Sequence, residues 1–359
     1  MGRYKICVYA ICKNEEQFVD RFVDSVQEAD GIYVLDTGST DHTVDRLKKR
    51  GVHVKSQKIQ PWRFDVARNL SLELVPKDAD ICICIDLDEV LLPGWRKKLE
   101  ELWTDGTNRL RYNYNWSFDC NQKPSVNFYI EKIHSRNDYI WTHPVHEVLV
   151  YQKENEVVIT TDEITVNHYP DYKKSRGSYL PLLELSVKEN PDDDRNVHYL
   201  GREYMYYGRY QESIDMLIRH LNLKTAVWKD ERCASMRFIA RCYRYLKRYD
   251  EAEMWLQKAI KEAPYLRDPY MEMALLYYEL SNWKQVEYYV DLALSIVSKE
   301  KTYINEPFSW NETPYDLLSL SYFYQGRYPE ALAMVNLALE YNPTDARLKE
   351  NRILIQNRL

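Results

Sequence analysis

Three carboxylates stand together where a short apolar run ends. Residues 81–85 read ICICI, and Asp86, Asp88 and Glu89 follow almost directly. A buried strand tolerates charge only where it emerges into water or onto a cation. Paired aspartates offer the hard oxygen ligands that hold Mg²⁺ or Mn²⁺, and such an ion neutralises the phosphate oxygens of a bound nucleotide. Solvated carboxylates at a strand end are the alternative interpretation. The tripeptide Asp86-Leu87-Asp88 alone does not distinguish a metal site from such a strand end.

Two further polar clusters follow predicted strands upstream. KNEE at residues 13–16 follows a strand predicted over residues 5–12, and DTGSTDHT at residues 36–43 follows a strand predicted over residues 31–35. Both clusters precede apolar residues at helical spacing. Each is therefore the loop of a predicted strand–helix unit.

The loops and elements that follow complete this pattern. Gly38 permits a tight turn, and Thr40 or Asp41 can cap the helix after the second strand. A third strand is predicted at residues 52–54, and FDVARN at residues 64–69 opens the helix that leads back to the acidic strand.

Four strands that alternate with helices predict a parallel sheet with its ligand site at the carboxyl ends of the strands. All three polar clusters stand at such ends, so we expect them to converge on one crevice. A dinucleotide-binding fold is excluded because it needs a glycine-rich first turn, whereas residues 10–14 read AICKN. The P-loop pattern is also absent from the sequence. A bound diphosphate would therefore depend on a metal ion and on basic side chains.

The order KNEE, DTGSTDHT, ARN and DLDE resembles the family-2 nucleotide-sugar glycosyltransferases of the GT-A fold, over about the first 170 residues. The resemblance implies an α/β, Rossmann-like GT-A domain and an inverting hexosyltransferase. It also implies a nucleotide diphosphate sugar as donor, UDP-glucose or a related UDP-hexose, with Mn²⁺ or Mg²⁺ as cofactor.

The same resemblance assigns roles to the residues of these motifs. Asp36 is expected to bind the nucleotide base and Asp88 to ligate the metal. Further expected nucleotide contacts are Ile11, Asn14, Glu15, Arg68, Asp86 and Leu87. Helix capping competes with the role of Asp36, and a salt bridge to an acid at the sheet end competes with that of Arg68.

Two histidines and an acid, His143, His146 and Glu147, lie within five residues of one another. Such a group suits metal binding or proton transfer, and histidines packed at a strand edge are the alternative. The resemblance makes Glu147 the expected base that takes the proton of the acceptor, with Asp138 in reserve, although many relatives carry Glu-Asp at this point. His168 resembles a late histidine that completes metal coordination in some GT-A enzymes, and capping of the last predicted strand is the alternative.

The second half, from about residue 172, has a helical pattern that repeats. Small and aromatic residues recur with the tetratricopeptide period of about 34 residues, at residues 201–217, 240–264, 274–293 and 322–343. We therefore expect two domains, 1–171 and 172–359. The second resembles an all-α tetratricopeptide-repeat solenoid that is closed by a terminal helix at residues 347–356.

A family-2 domain joined to such repeats resembles the sublancin-type peptide S-glycosyltransferases. The expected acceptor is accordingly a peptide, a protein or a glycan, and the repeats could also join copies of the chain into a homo-oligomer. The alternative from another class is a degenerate transferase domain that only binds nucleotide sugars, with the repeats as a protein-interaction module. The intact acidic motif argues against that alternative.

Composition supports a folded chain and excludes several partners. At 359 residues and 45% hydrophobic content, the chain exceeds one ordinary core. A net charge of -6 without a basic block argues against general nucleic-acid binding. No apolar segment reaches the ~18 residues of a membrane span, and the first residues do not have the pattern of a signal peptide, so we expect no signal peptide and a cytoplasmic protein. The seven cysteines form no C-x-x-C pair and are expected to be reduced, with a nucleophilic Cys12 as a minor alternative.

Overall fold

The computed structural model describes residues 2–171, 177 and 179–359. The chain divides into two compact units, Met1–Asp119 with Asn127–Ser186, and Cys120–Val126 with Val187–Leu359. The predicted border after residue 171 adjoins residues 172–176, which lie outside the described residues. That border stays a prediction.

The first unit is built on a mixed sheet. In chain order the described strands are β1 Ile6–Cys12, β2 Gly31–Asp36, β3 His53–Ser56, β4 Ile81–Cys84, β5 Glu89–Leu91, β6 Arg109–Phe118, β7 Pro124–Ser135, β8 Tyr139–Thr142, β9 Val148–Tyr151 and β10 Val158–His168. Eight of them form one sheet in the order β3-β2-β1-β4-β7-β6-β10-β5, and β8 pairs with β9 in a separate hairpin.

The predicted parallel core of this sheet is confirmed. β1 runs parallel to both β2 and β4, and β2 runs parallel to β3. Every residue of β1 and β4 is buried, as expected of parallel strands that are covered on both faces. The antiparallel pairing of β7 with β4 and of β5 with β10 makes the sheet mixed. Its helices are α1 Val19–Val26, α2 Thr43–Lys49, α3 Phe64–Glu73 and α4 Trp95–Leu102.

The second half consists of helices that pack in successive pairs, as the repeats predict. After α5 Tyr179–Glu189, the pairs are α6 Asp194–Tyr206 with α7 Tyr210–Asn222, α8 Lys229–Tyr245 with α9 Tyr249–Glu262, α10 Asp268–Glu279 with α11 Trp283–Ser295, and α12 Thr313–Tyr324 with α13 Tyr328–Tyr341, before the terminal α14 Ala346–Gln356. None of the described helices has the length and apolar character that a bilayer crossing requires.

Close packing within the helix pairs explains the small residues of the repeats. A Cβ atom at Gly201 would lie 2.6 Å from Leu217 Cγ, so α6 and α7 can approach only with glycine there. The turn inside each pair contains one residue with positive φ, at equivalent positions of the four repeats: Gly208, Lys247, Ser281 and Gly326. The repeat therefore preserves a left-handed turn even where the residue is not glycine.

Candidate active site

A cleft of about 1210 Å³ opens at the carboxyl ends of β1, β2 and β4. The KNEE, DTGSTDHT and DLDE motifs all contribute to its lining, together with residues of α3, β6, β7 and the end of β10. The predicted site residues that line it are Ile11, Asn14, Glu15, Arg68, Asp86, Asp88 and His168. Within the described part of the chain, those that lie outside the lining are Asp36, Leu87, Asp138 and Glu147.

The first two loops hold each other in shape. Asn14 adopts φ 53°, a conformation that asparagine tolerates better than most residues. Its Oδ1 accepts a hydrogen bond of 2.7 Å from the Thr40 N–H, and its own N–H donates to Ser39 Oγ at 2.9 Å. The Glu15 N–H donates to Thr43 Oγ1 at 2.8 Å. The KNEE loop is thus fastened to the DTGSTDHT loop at several points.

Aspartates of the second loop stabilise turns. Asp36 is only 2% exposed, and its Oδ1 accepts a 2.9 Å hydrogen bond from the Ser39 N–H. Asp41 precedes His42, the N-cap residue of α2, and its Oδ1 accepts a 3.0 Å hydrogen bond from the Thr43 N–H, so Asp41 supports the start of that helix. Leu87 is fully buried in the core of the sheet unit. The nucleotide contacts assigned to Asp36 and Leu87 stay predictions.

Arg68 occupies the centre of the charged part of the cleft. It is 4% exposed, and its Nη1 and Nη2 donate to the two carboxylate oxygens of Asp86 at 2.5 and 2.9 Å. Its Nε donates to Glu147 Oε1 at 2.9 Å. A two-pronged pair of this kind fixes orientation as well as charge. The salt bridge to an acid at the sheet end, which was the alternative role of Arg68, is therefore present, and it lies in the lining of the cleft.

Lys132 of β7 is a member of the site that sequence reasoning missed. Its Nζ lies 3.3 Å from Asp86 Oδ2 and 3.2 Å from Glu89 Oε1. Glu89 is 2% exposed and also accepts from the Tyr114 hydroxyl at 2.6 Å and from the Asp86 N–H at 2.9 Å. Burial opposes the charge of Asp86, but Arg68 and Lys132 outweigh it and hold the pKa of Asp86 well below its usual range.

A signal for Lys132 was present in the sequence. Val126, Phe128 and Ile130 alternate along β7 toward Lys132, so a lysine continues an apolar face. Burying a charged side chain at such a position costs free energy unless it is paired with a group of opposite charge. The partner could not be read from the sequence because β4 and β7 are far apart along the chain.

Asp88 and His168 face each other across the cleft lining. Their Oδ2 and Nε2 atoms are 3.6 Å apart. His168 Nδ1 lies 3.1 Å from the carbonyl oxygen of Trp116, and because a carbonyl only accepts, Nδ1 carries the hydrogen. The Nε2 lone pair is then directed at Asp88 whenever the imidazole is neutral. Burial disfavours the charged ring, but the hydrogen bond and charge of Asp88 prevail and raise the pKa of His168.

This pair fits a divalent cation. Two neighbouring ligand atoms of an octahedral ion, each about 2.1 Å from it, lie about 3.0 Å apart, so the 3.6 Å pair would close slightly around a bound ion. An oxygen and an imidazole nitrogen suit Mn²⁺. The backbone contact that holds the imidazole resembles the support found behind histidine ligands generally. Arg68 and Lys132 are themselves paired with three carboxylates, those of Asp86, Glu89 and Glu147.

The expected proton acceptors lie outside this lining. Glu147 directs one oxygen to Arg68 Nε, and its side chain is 13% exposed. Asp138 has φ 69° and forms a 2.7 Å ion pair with Lys153 Nζ. The assignment of Glu147 as base, with Asp138 in reserve, stays a prediction.

The rest of the lining is aromatic, aliphatic and basic. Trp62, Phe64 and Tyr179 lie among the cleft residues with Ile11, and the exposed Lys13 and Lys58 line it as well. Trp116 is 48% exposed and stacks on the His168 ring with centroids 4.4 Å apart. Flat apolar surfaces beside a cation site suit a ligand with a heteroaromatic base, anionic phosphates and a sugar.

Comparison with known proteins places the first half of the chain. The model of the family described as Glycosyl transferase family 2 matches residues 7–149. A search of curated proteins gave no match.

Solved structures similar to the chain cover about half of it. They include the Cut9-Hcn1 hetero-tetramer of APC/C, at 16% identity and TM-score 0.42, covering 50% of this chain and 33% of that one. Another is TTC0263, a thermophilic TPR protein of Thermus thermophilus, at 21% identity and TM-score 0.36, covering 50% and 90%. The MamA protein shows 19% identity and TM-score 0.37, covering 48% and 87%. The chain thus spans a third of the length of the Cut9-Hcn1 chain, and the repeat fold rests on the helix pairs described above.

Proposed function

We propose that this chain, whose residues 7–149 match the family-2 glycosyltransferase model, transfers a hexose from a nucleotide diphosphate sugar with inversion and with the help of a divalent metal. The proposed donor is a UDP-hexose such as UDP-glucose. The proposed acceptor is a peptide, a protein or a glycan. The observation that supports this most is the Asp88–His168 pair, with a 3.6 Å gap, in a cleft that also holds Arg68 and Lys132.

The order of strands suggests how the donor lies. The nucleoside would lie over β1 and β2, where Ile11, Thr37 and Trp62 line the cleft. The sugar would lie over β7 and β6, where Phe128 and Trp116 line it. The diphosphate would then lie between them, beside the acidic tip that follows β4.

Asp88 and His168 would hold the metal ion, whose positive charge would stabilise the diphosphate as it departs. The chain's own residues supply the rest of the proposal. Asp86 is held by Arg68 and Lys132, so its carboxylate oxygens are oriented before any ligand arrives. Preorganised charges of this kind cost no rearrangement at the moment of reaction.

We assign removal of the acceptor's proton to Glu147, as the sequence predicts. Its hydrogen bond to Arg68 offers a second role, in which Glu147 holds Arg68 in place for the donor. The two roles predict different kinetics, because a base affects turnover whereas a positioning residue also affects donor affinity. Self-association through the helical repeats and a cytoplasmic location stay predictions from the sequence.

A panel of nucleotide sugars, with and without Mn²⁺, tests the proposal. We expect hydrolysis or transfer with at least one UDP-hexose in the presence of Mn²⁺, and loss of that activity when EDTA is added. Nucleotide binding without release of sugar would favour the alternative, a degenerate platform. Absence of both binding and turnover across the panel would overturn the proposal.

A further inference from the structure

Three buried side chains of the helical unit lie close enough together to hold a metal ion. They are His198 of α6, His220 of α7 and Glu231 of α8, and each is at most 4% exposed. One ligand atom of each lies within 4.8 Å of the other two, and no other group of three such side chains has this spacing among the residues that the structure describes. Two imidazoles and a carboxylate form a ligand set that Zn²⁺ takes in proteins.

A nitrogen of this cluster lacks a hydrogen-bond partner. His220 Nε2 lies 3.3 Å from Glu231 Oε1, yet it is buried and forms no hydrogen bond in the described structure. Buried polar atoms without a partner cost free energy, and each calls for an explanation. Two ligand atoms of a tetrahedral zinc ion, each about 2.0 to 2.1 Å from it, lie about 3.3 Å apart. His220 and Glu231 therefore already have the spacing of two zinc ligands.

Ser235 of α8 supports both imidazoles through the nitrogen that a metal ion would not use. Its Oγ lies 2.7 Å from His198 Nδ1 and 2.9 Å from His220 Nδ1. Each ring then has its Nε2 left for a metal ion. The Ser235 oxygen has two lone pairs, so it can accept from both Nδ1–H groups at once. A hydrogen bond on the other ring nitrogen is the usual support of a histidine ligand.

Glu231 has a supporting contact of the same kind. The Tyr303 hydroxyl donates to Glu231 Oε2 at 2.5 Å, which leaves Oε1 beside His220. Carboxylates that bind metal ions are commonly held by hydrogen bonds in this way. Each of the three side chains thus has a second contact that orients it.

A hydrogen-bonded core network is the alternative interpretation. In such a network His220 Nε2 would carry a hydrogen and donate it to Glu231, while Ser235 would donate to one ring and accept from the other. The geometry disfavours the first of these bonds, because His220 Nε2 forms no hydrogen bond at its 3.3 Å distance from Glu231. A shared cation requires no hydrogen on that nitrogen.

We propose that His198, His220 and Glu231 form a zinc site that fastens the first helix pair to the second. The spacings of up to 4.8 Å would close around the ion, and three protein ligands leave the fourth position of a tetrahedron for a water molecule. The unfolded chain does not assemble these ligands, so the ion stabilises the folded helical unit. This inference does not depend on the reaction of the first unit.

The metal content of the purified full chain tests the proposal. All proteins carry Asp88→Asn, which disables the proposed metal pair of the cleft, so that bound zinc reports on the helical unit. They are produced with Zn²⁺ in the medium, freed of loosely bound metal by gel filtration and analysed by elemental mass spectrometry. We expect about one zinc ion per chain. Addition of His220→Gln should lower this content at least about tenfold, because two protein ligands are too few for a tetrahedral site.

His42→Gln is the matched control, because it removes an exposed histidine of the sheet unit and should leave the zinc content unchanged. A zinc-free Asp88→Asn protein would overturn the proposal. Equal zinc contents with and without His220→Gln would also overturn it, since the ion would then lie elsewhere.

A second measurement covers failure of the His220→Gln protein to fold. Hydrogen exchange of the Asp88→Asn protein is recorded before and after a strong chelator has removed the metal. Loss of zinc should speed exchange at least about tenfold in α6, α7 and α8 and leave the amides of β1 and β4 unchanged. Unchanged exchange in the three helices would overturn the proposal, since it would show that no ion holds them together.

Discussion

Two buried aspartates, Asp86 in the sheet unit and Asp268 in the helical unit, respond to burial in opposite ways. Asp268 is fully buried, and its nearest guanidinium nitrogen, on Arg237, is 3.8 Å away, so burial prevails and raises the pKa of Asp268. Asp86 has two Arg68 nitrogens at 2.5 and 2.9 Å, with Lys132 behind them, and its pKa is lowered. Burial alone pushes a carboxyl group toward neutrality, and cations at hydrogen-bonding distance, as around Asp86, keep it charged.

Asp86 and Asp268 each belong to a network of charged side chains, and the two networks also differ in how far they are closed off from solvent. In the helical unit, Arg237 and Arg241 contact Glu306 of the connection between α11 and α12, and Arg241 and Arg244 pair with Glu272, which is 1% exposed. The network of the sheet unit opens onto a cleft, where Asp88 and His168 line the wall. Buried charge of the first kind serves structure, and buried charge beside an opening is prepared for a ligand.

The strongest test of this contrast removes the proposed metal ligand. Asp88→Asn keeps the size of the side chain but loses its charge, so we expect metal-dependent turnover to fall about 10³-fold, equivalent to about 4 kcal/mol of activation free energy. Sugar release from the best donor in Mn²⁺ measures it. Asp105→Asn, in an exposed turn, is the matched control and should keep full activity. Unchanged turnover in Asp88→Asn would remove the metal from the proposal.

Removing one arginine from each network compares them directly. Arg68→Ala and Arg237→Ala each leave buried carboxylates without a partner, and each should cost about 3 kcal/mol of unfolding free energy. Urea unfolding measures this cost. Turnover should be lost only in Arg68→Ala, because Arg237 belongs to the closed network. A fully active Arg68→Ala protein would contradict the contrast between the networks.

The two networks also differ in how much of them the sequence predicted. Arg68 and Asp86 were predicted because each stands in a local pattern, one at the start of a helix and the other at the end of an apolar run. Lys132 was missed because its partners, Asp86 and Glu89, are distant in sequence. The insertion before the fourth repeat was visible as extra residues, but its contacts with Arg237 depend on packing between repeats, which periodicity does not reveal.

The base assignment is tested by Glu147→Gln. If Glu147 takes the proton of the acceptor, turnover should fall about 100-fold while the dissociation constant of the donor stays the same. If Glu147 instead positions Arg68, donor affinity should fall as well. Isothermal titration with UDP, beside steady-state rates, separates the two. Near-normal turnover would move the base elsewhere, and Asp138→Asn is the next variant to measure.

Two buried histidines, one in each unit, should make both units sensitive to acid. His134 Nδ1 donates to the carbonyl oxygen of Ser135 at 2.7 Å, so His134 Nε2 accepts from the Tyr9 hydroxyl at 2.8 Å, and His198 Nδ1 contacts Ser235 Oγ at 2.7 Å. Burial lowers the pKa of each to about 3. The ordinary pKa of histidine is about 6.5. Below that pH, each of these histidines is protonated in the unfolded chain but stays neutral in the folded chain, so the free energy of unfolding falls as the pH drops from 6.5 toward 3.

Each histidine should therefore cost about 2 kcal/mol of unfolding free energy at pH 5 relative to pH 7. His134→Asn and His198→Asn should each reduce the difference in unfolding free energy between pH 7 and pH 5 in the unit that carries the substitution, whatever their effect on stability at pH 7. Urea unfolding at both pH values, followed by hydrogen exchange in β1 and in α8, assigns the change to a unit. A variant that keeps the full difference between pH 5 and pH 7 would show that its histidine is protonated in the folded chain, and burial would then not be the dominant influence on that ring.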